Sequence, residues 1–302
     1  MRAVRHGLLT TGLVLVTCGV VAVFAAATYA TVDSHRDRLT GRGSGGITQV
    51  WDSTVEVRWP LPSGEPVVAV VPLEVTPHPV GTRTQVAYDP ARPEDAVIPG
   101  ASLLAEADRA LGGVIFPLIV AVGVGSVGIW RIVTRSRLTR RDPGTVPVRR
   151  VLVQRGLSVR SWLEVDGTAP RWVPVYFDPV LVSLPSPAEV PVYGEVRKDR
   201  LVAFRVGEVV LYPSGPVSAV EPKGRRIDNP ARPDEFAADR AAAISRPLRQ
   251  LRVDSAVVVA APVVGIFWSF VDRSGLLGWL GATLVTAAVA LWWGALRGSD
   301  PS

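Results

Sequence analysis

The sequence predicts a membrane α+β protein. Its four transmembrane helices carry a small extracytoplasmic β module and a larger cytoplasmic β-rich module, built as a meander or small barrel. Three observations predict this. Four charge-free apolar stretches cover residues 7–32, 110–130, 255–271 and 274–296, and a spanning helix needs about 20 apolar residues. The long connectors between them contain short runs that alternate apolar and polar residues, the period of a half-buried strand. The connectors also differ in charge. Segment 131–253 holds 22 basic against 13 acidic residues, and segment 31–110 holds seven against eleven. The positive-inside rule then places the basic segment and both termini in the cytoplasm, and the acidic segment outside.

Composition narrows the class further. The chain has 302 residues, 48% hydrophobic and 20% charged, a balance that excludes a disordered chain. One cysteine and three histidines leave no disulfide framework and no recurring Cys/His ligand spacing for a metal. Among 33 basic residues only Lys198 and Lys223 are lysines. Arginine codons are GC-rich, so this bias points to a GC-rich bacterial genome.

Residues 1–32 comprise the amino terminus and first span. Arg2, Arg5 and His6 precede the apolar run, and Ala25-Ala26-Ala27 offers an A-x-A pattern. The run exceeds the length of a signal-peptide core, so it is read as an uncleaved anchor. Thr17 before Cys18 does not suit lipoprotein processing, and Cys18 is expected to be a small packing residue.

Residues 33–109 form the expected external module. Strands are predicted at 54–59, 67–71 and 82–88, with turns at Pro60, Pro62-Ser63-Gly64 and Asp89-Pro90. Residues 101–109 are expected to form a short helix leading into the second span. The Gly41–Gly46 run matches G-x-G-x-x-G but lacks the strand-before, helix-after setting of a phosphate loop, so a flexible linker is expected. His35 and His78 read as solvated loop histidines, because no nucleophile elbow accompanies them. Asp33, Asp37, Asp52, Glu94 and Asp95 read as exposed loop charge.

Residues 110–133 form the second span, with a kink expected at Pro117. Residues 134–253 form the cytoplasmic module. Strands are predicted at 148–154, 172–177, 190–196, 201–206 and 208–212, and a helix at 233–245. Trp162, Trp172, Tyr176 and Tyr193 fall within or near these strands as core residues. No recognised nucleic-acid fold accompanies the basic charge. The arginines nearest the bilayer are Arg131, Arg135, Arg137, Arg140, Arg141, Arg246, Arg249 and Arg252. Topology and contact with anionic lipid headgroups account for them, at about 1 kcal/mol per residue.

Residues 254–302 form a helical hairpin, turned at 272–275, and a short cytoplasmic tail. Gly278, Ala282, Thr286, Ala290 and Gly294 repeat every four positions, a shallow groove suited to close helix packing. Shorter rows of the same kind are Ala261, Gly265 and Ser269 in the third span, and Cys18, Ala22, Ala26 and Ala30 in the first. No Asp, Glu, Lys, Arg or His interrupts any span, which argues against a pump or secondary transporter.

One stretch resembles a known family. The first span, the Gly41–Gly46 entry, the 55–59 strand, Val80-Gly81-Thr82 and Val86-Ala87-Tyr88-Asp89-Pro90-Ala91-Arg92-Pro93 look like the membrane proteins grouped as domain of unknown function 3592. The resemblance covers about residues 8–133. It implies a small extracytoplasmic β module between two helices and carries no catalytic residue.

These readings converge on a multi-pass protein of a bacterial plasma membrane, non-enzymatic and cofactor-free, acting as a scaffold or protein-interaction component. A protein partner or a second copy of the chain is the expected company, with no nucleic acid. Two alternatives are a sensor or regulatory subunit that binds a ligand through its external module, and a membrane-anchored enzyme acting on lipid or peptide.

Overall fold

The computed structural model describes residues 2–156, 158–231, 236 and 255–301. Four apolar helices and two curled antiparallel sheets make up the α+β architecture. The helices are α1 (Arg2–Arg38), α2 (Ser102–Ser136), α3 (Ala261–Asp272) and α4 (Gly275–Arg297). A 3₁₀ turn, Ser255–Ala260, leads into α3. With that turn counted, each helix is long and apolar enough to cross a membrane. The helix predicted at 233–245 lies almost entirely outside the described residues.

Two helices outrun their apolar stretches. The helix α1 continues to Arg38 because no Gly or Pro interrupts 33–38, and His35, Arg36 and Arg38 in its last turn complement the carboxyl-end dipole. The helix expected at 101–109, leading into the second span, is the opening of α2, which continues past Pro117 without a break. Cys18 is buried beside Val14 and Ala22 in one i, i+4 row, as a packing residue.

The chain divides into two compact units, Gly19–Ile119 and Met1–Cys18 together with Val120–Ser302. The first holds a five-stranded sheet in the order β3-β2-β1-β4-β5. Its strands are β1 (Gly41–Val50), β2 (Thr54–Pro60), β3 (Pro66–Pro72), β4 (Arg83–Asp89) and β5 (Arg92–Val97). A bridge between Leu73 and Ala101 draws its two ends together. Val55, Val57, Trp59, Val71, Val86 and Tyr88 fill the core.

The glycine-rich run corrects the linker expectation, because Gly41–Gly46 lies in β1, the central strand. Packing explains it. A Cβ on Gly41 would lie 2.5 Å from Tyr88 Cε2, and one on Gly43 would lie 3.2 Å from Trp59 Cδ1. One on Gly45 would lie 2.8 Å from Val57 Cγ1. The glycines let Trp59 and Tyr88, whose ring centroids are 5.9 Å apart, close over the strand. Such an aromatic pair adds about 0.5–1.5 kcal/mol beyond its buried area.

The second unit holds a seven-stranded sheet in the order β11-β10-β9-β6-β7-β8, with β12 also paired to β6. The strands are β6 (Pro143–Arg155), β7 (Ser158–Val165), β8 (Arg171–Pro174), β9 (Ala188–Tyr193), β10 (Ala203–Val206), β11 (Val209–Leu211) and β12 (Arg225–Asp228). The sheet curls until its ends meet: Trp172 pairs with Ser218, and Val175 with Pro213. Val148, Leu163, Val173, Val175, Val192 and Phe204 are among the side chains filling the interior. Strand β7 has no counterpart among the predicted strands, because serine, arginine and glutamate blur its alternation.

Helices α3 and α4 form a hairpin turned at Arg273, which takes a left-handed φ of 49°. They approach closely at Gly265, where a Cβ would lie 2.9 Å from the Trp279 carbonyl oxygen. Trp279 Nε1 donates to the Pro262 carbonyl at 3.2 Å, and Ser269 Oγ to that of Gly275 at 2.8 Å. The small-residue row of α3 therefore carries this contact. Gly278, Ala282, Thr286, Ala290 and Gly294 are only half-buried, and the most buried residues of α4 are Val285, Ala288, Trp292, Ala295 and Leu296. Gly265→Leu is expected to splay the hairpin and lower disulfide cross-linking between cysteines placed on α3 and α4 by about tenfold, the effect of 1–3 kcal/mol of overpacking. Ala282→Leu with Ala290→Leu is expected to change that yield by less than about twofold, since those positions are only half-buried.

Candidate functional site

The helix α4 ends at Gly298, whose left-handed φ of 73° stops the helix. Its missing side chain also permits close approach, since a Cβ there would lie 2.9 Å from Ser214 Cβ. The chain then runs beside β7. Ser299 bridges Arg160, and the Asp300 amide donates to the Val159 carbonyl at 2.9 Å. Strand β8 pairs only with the 162–165 half of β7. The tail takes up the edge that β8 leaves open, which would otherwise present unpaired backbone groups.

The tail is locked by a buried ion pair. Arg150 Nη2 lies 2.9 Å from Asp300 Oδ2, and both side chains are nearly inaccessible, at 2% and 0% exposure. Ser161 Oγ donates to the same carboxylate oxygen. Arg150 also donates to Asn229 Oδ1 at 3.2 Å and to Ser161 Oγ at 3.3 Å. Asn229 in turn donates to the Leu181 and Leu184 carbonyls at 3.0 and 3.2 Å. A buried pair is held only when such additional hydrogen bonds offset desolvation.

Beside this lock lies an arginine cluster around Tyr176. Arg131 Nη1 donates to the Tyr176 hydroxyl at 3.0 Å and also to the Leu296 carbonyl. Arg135 is buried, donates through Nε to the Pro213 carbonyl at 2.7 Å, and stacks 5.7 Å from the Tyr176 ring centre. Arg160 donates through Nε to the Arg297 carbonyl at 2.8 Å and through Nη2 to Ser214 Oγ at 3.2 Å. Arg131 and Arg160 thus cap the carboxyl end of α4, where the helix dipole favours cations. Burial pulls the Arg160 guanidinium down to about 10; the Arg297 charge acts the same way, the Tyr176 phenol opposes, and Arg131 adds.

The membrane-proximal arginines of the sequence separate into groups. Arg131 and Arg135 face protein, whereas Arg137 and Arg140 are exposed. Arg141 is exposed and pairs with Asp199 at 3.0 Å. Arg246, Arg249 and Arg252 lie outside the described residues. Arg160, Tyr176 and the Arg150–Asp300 lock were not anticipated. One signal was available: alternation along β6 places Arg150 on the same side as Val148.

The histidines also differ from expectation. His35 lies in α1 rather than a loop, and its Nε2 is 2.8 Å from Asp95 Oδ1 in β5. Asp89 is buried and accepts from the Ala91 amide at 2.8 Å, which shapes the Asp-Pro turn. His78 is exposed. Among the described residues no group of three or more His, Cys, Asp or Glu side chains is placed to hold a metal ion. No family model matches the chain, and no curated protein or solved structure is similar to it.

Proposed function

We propose that the chain is a multi-pass protein of a bacterial plasma membrane and a non-enzymatic scaffold. In this reading it presents its larger β module on the cytoplasmic side and the 33–109 module outside, with both termini inside. The observation that carries the reading is the hydrogen bond from Arg131, near the end of α2, to the Leu296 carbonyl at the end of α4. It supports a common side for both helix ends, as the even number of crossings between them, α3 and α4, requires. The tail lock supports a module held firmly against those ends, the rigidity a display platform needs.

Labelling intact cells with a membrane-impermeant maleimide tests the orientation in a Cys18→Ser background. Ser63→Cys in the β2–β3 turn is expected to label, and Lys198→Cys only after permeabilisation; the reverse pattern overturns the arrangement. For the scaffold role, a strain lacking the gene is complemented with His35→Ala, His78→Ala or Asp89→Asn. Each variant that reaches normal level is expected to restore function. A normally folded variant that abolishes function through one polar side chain overturns the role.

A further inference from the structure

The arginine cluster has more donors than acceptors. Arg135 is 9% exposed, yet its Nη1 is buried without a hydrogen-bond partner, and so is Arg131 Nε. Leaving such charged donors unmade is costly, because each has lost its water. Among the described residues no carboxylate forms an ion pair with Arg131, Arg135 or Arg160. The groups whose charges act on Arg160 are Arg297, Tyr176 and Arg131, none of them an anion at neutral pH. The carbonyls of Leu296, Arg297 and Pro213 carry only partial charge. Arg131 and Arg160 are half-exposed, which gives the cluster an open side. One turn before Leu296 on α4, Trp292 adds a buried indole N–H without an acceptor.

We propose that Arg131, Arg135 and Arg160 form a binding site for one phosphate oxyanion at the junction of α2, α4 and the larger β module. A phosphate group supplies what the cluster lacks: negative charge, and several acceptor oxygens that match guanidinium forks. The three arginines come from α2 and β7, so the bound anion cross-links a helix end to the sheet. The proposal rests on reading these helix ends as the membrane surface only for the source of the phosphate, a lipid headgroup; a free phosphate ion offers the same chemistry.

The test uses the full chain in a neutral detergent. Native mass spectrometry measures retention of titrated phosphatidylglycerol, and thermal unfolding is followed with inorganic phosphate in parallel. Retention of one phosphatidylglycerol is expected. Binding should weaken about tenfold or more in Arg135→Gln and Arg160→Gln, the loss of a charge-assisted hydrogen bond, and change less than about twofold in the exposed control Arg137→Gln. Phosphatidylglycerol binding that phosphate does not displace assigns the site to lipid headgroups. Arginine-dependent stabilisation by phosphate, with no preference for the lipid, assigns it to a free anion. If neither ligand binds, or if all three variants weaken binding equally, the proposal is overturned. Should Arg135→Gln fail to fold, the half-exposed Arg160→Gln decides. The phosphate arm requires no membrane, so its outcome is separate from that of the maleimide experiment.

Discussion

Asp300→Ala is expected to destabilise the larger β module by about 3–5 kcal/mol, because it leaves the Arg150 charge buried without its counter-ion. Ser161 and Asn229 remain as neutral acceptors and hold the loss near the lower end. Arg150→Met combined with Asp300→Leu is expected to recover most of it, since well-packed apolar replacements of a buried pair are often neutral or better. Denaturant unfolding of the detergent-solubilised chain reads both variants. The fluorescence of Trp162 and Trp172, in β7 and β8, reports the module. A loss under about 1 kcal/mol for Asp300→Ala, or a double variant no better than the single, would show that the pair does not hold the tail.

Gly45→Val is expected to destabilise the smaller sheet by about 3 kcal/mol, the upper part of the overpacking range. Its Cβ would meet Val57 Cγ1 at 2.8 Å and the Arg58 carbonyl oxygen at 2.9 Å. The second neighbour is backbone, so no rotamer change relieves the clash. Gly46→Ala provides the contrast. Its Cβ has nothing within 4 Å, and it is expected to be neutral or to stabilise by about 0.4–1 kcal/mol through lost freedom of the unfolded chain. Thermal unfolding of the two variants, one residue apart, separates a packed strand from a linker. Equal effects at both positions would favour the linker.

The spans and the regular strands were legible because their signals are local. Twenty apolar residues make a helix of membrane length wherever they occur, and the alternation of 54–59 already states which side chains face inward. The central strand β1 was not legible, because glycine in sequence signals freedom. Its structure depends on Trp59 and Tyr88, which meet it only after the chain has folded back twice. The arginines show the same limit. Composition placed Arg131 and Arg135 at the membrane boundary, but direction depends on helical phase. These two, four residues apart, share the face of α2 turned to Tyr176, while Arg137 and Arg140 lie beyond the end of that helix. The 298–301 tail carries no periodicity at all. Its role is written in the unpaired edge of β7 and in an inward arginine 150 positions earlier.

That separation has a consequence for synthesis. At ribosomal speeds of about 5–20 residues per second, Asp300 emerges roughly 8–30 s after Arg150. Throughout that interval the nascent module carries a cation whose neutraliser has not yet been translated. The helix α4 must be made and placed before the module can finish, so a chain that fails at that last step leaves an unfinished domain exposed to quality-control proteases.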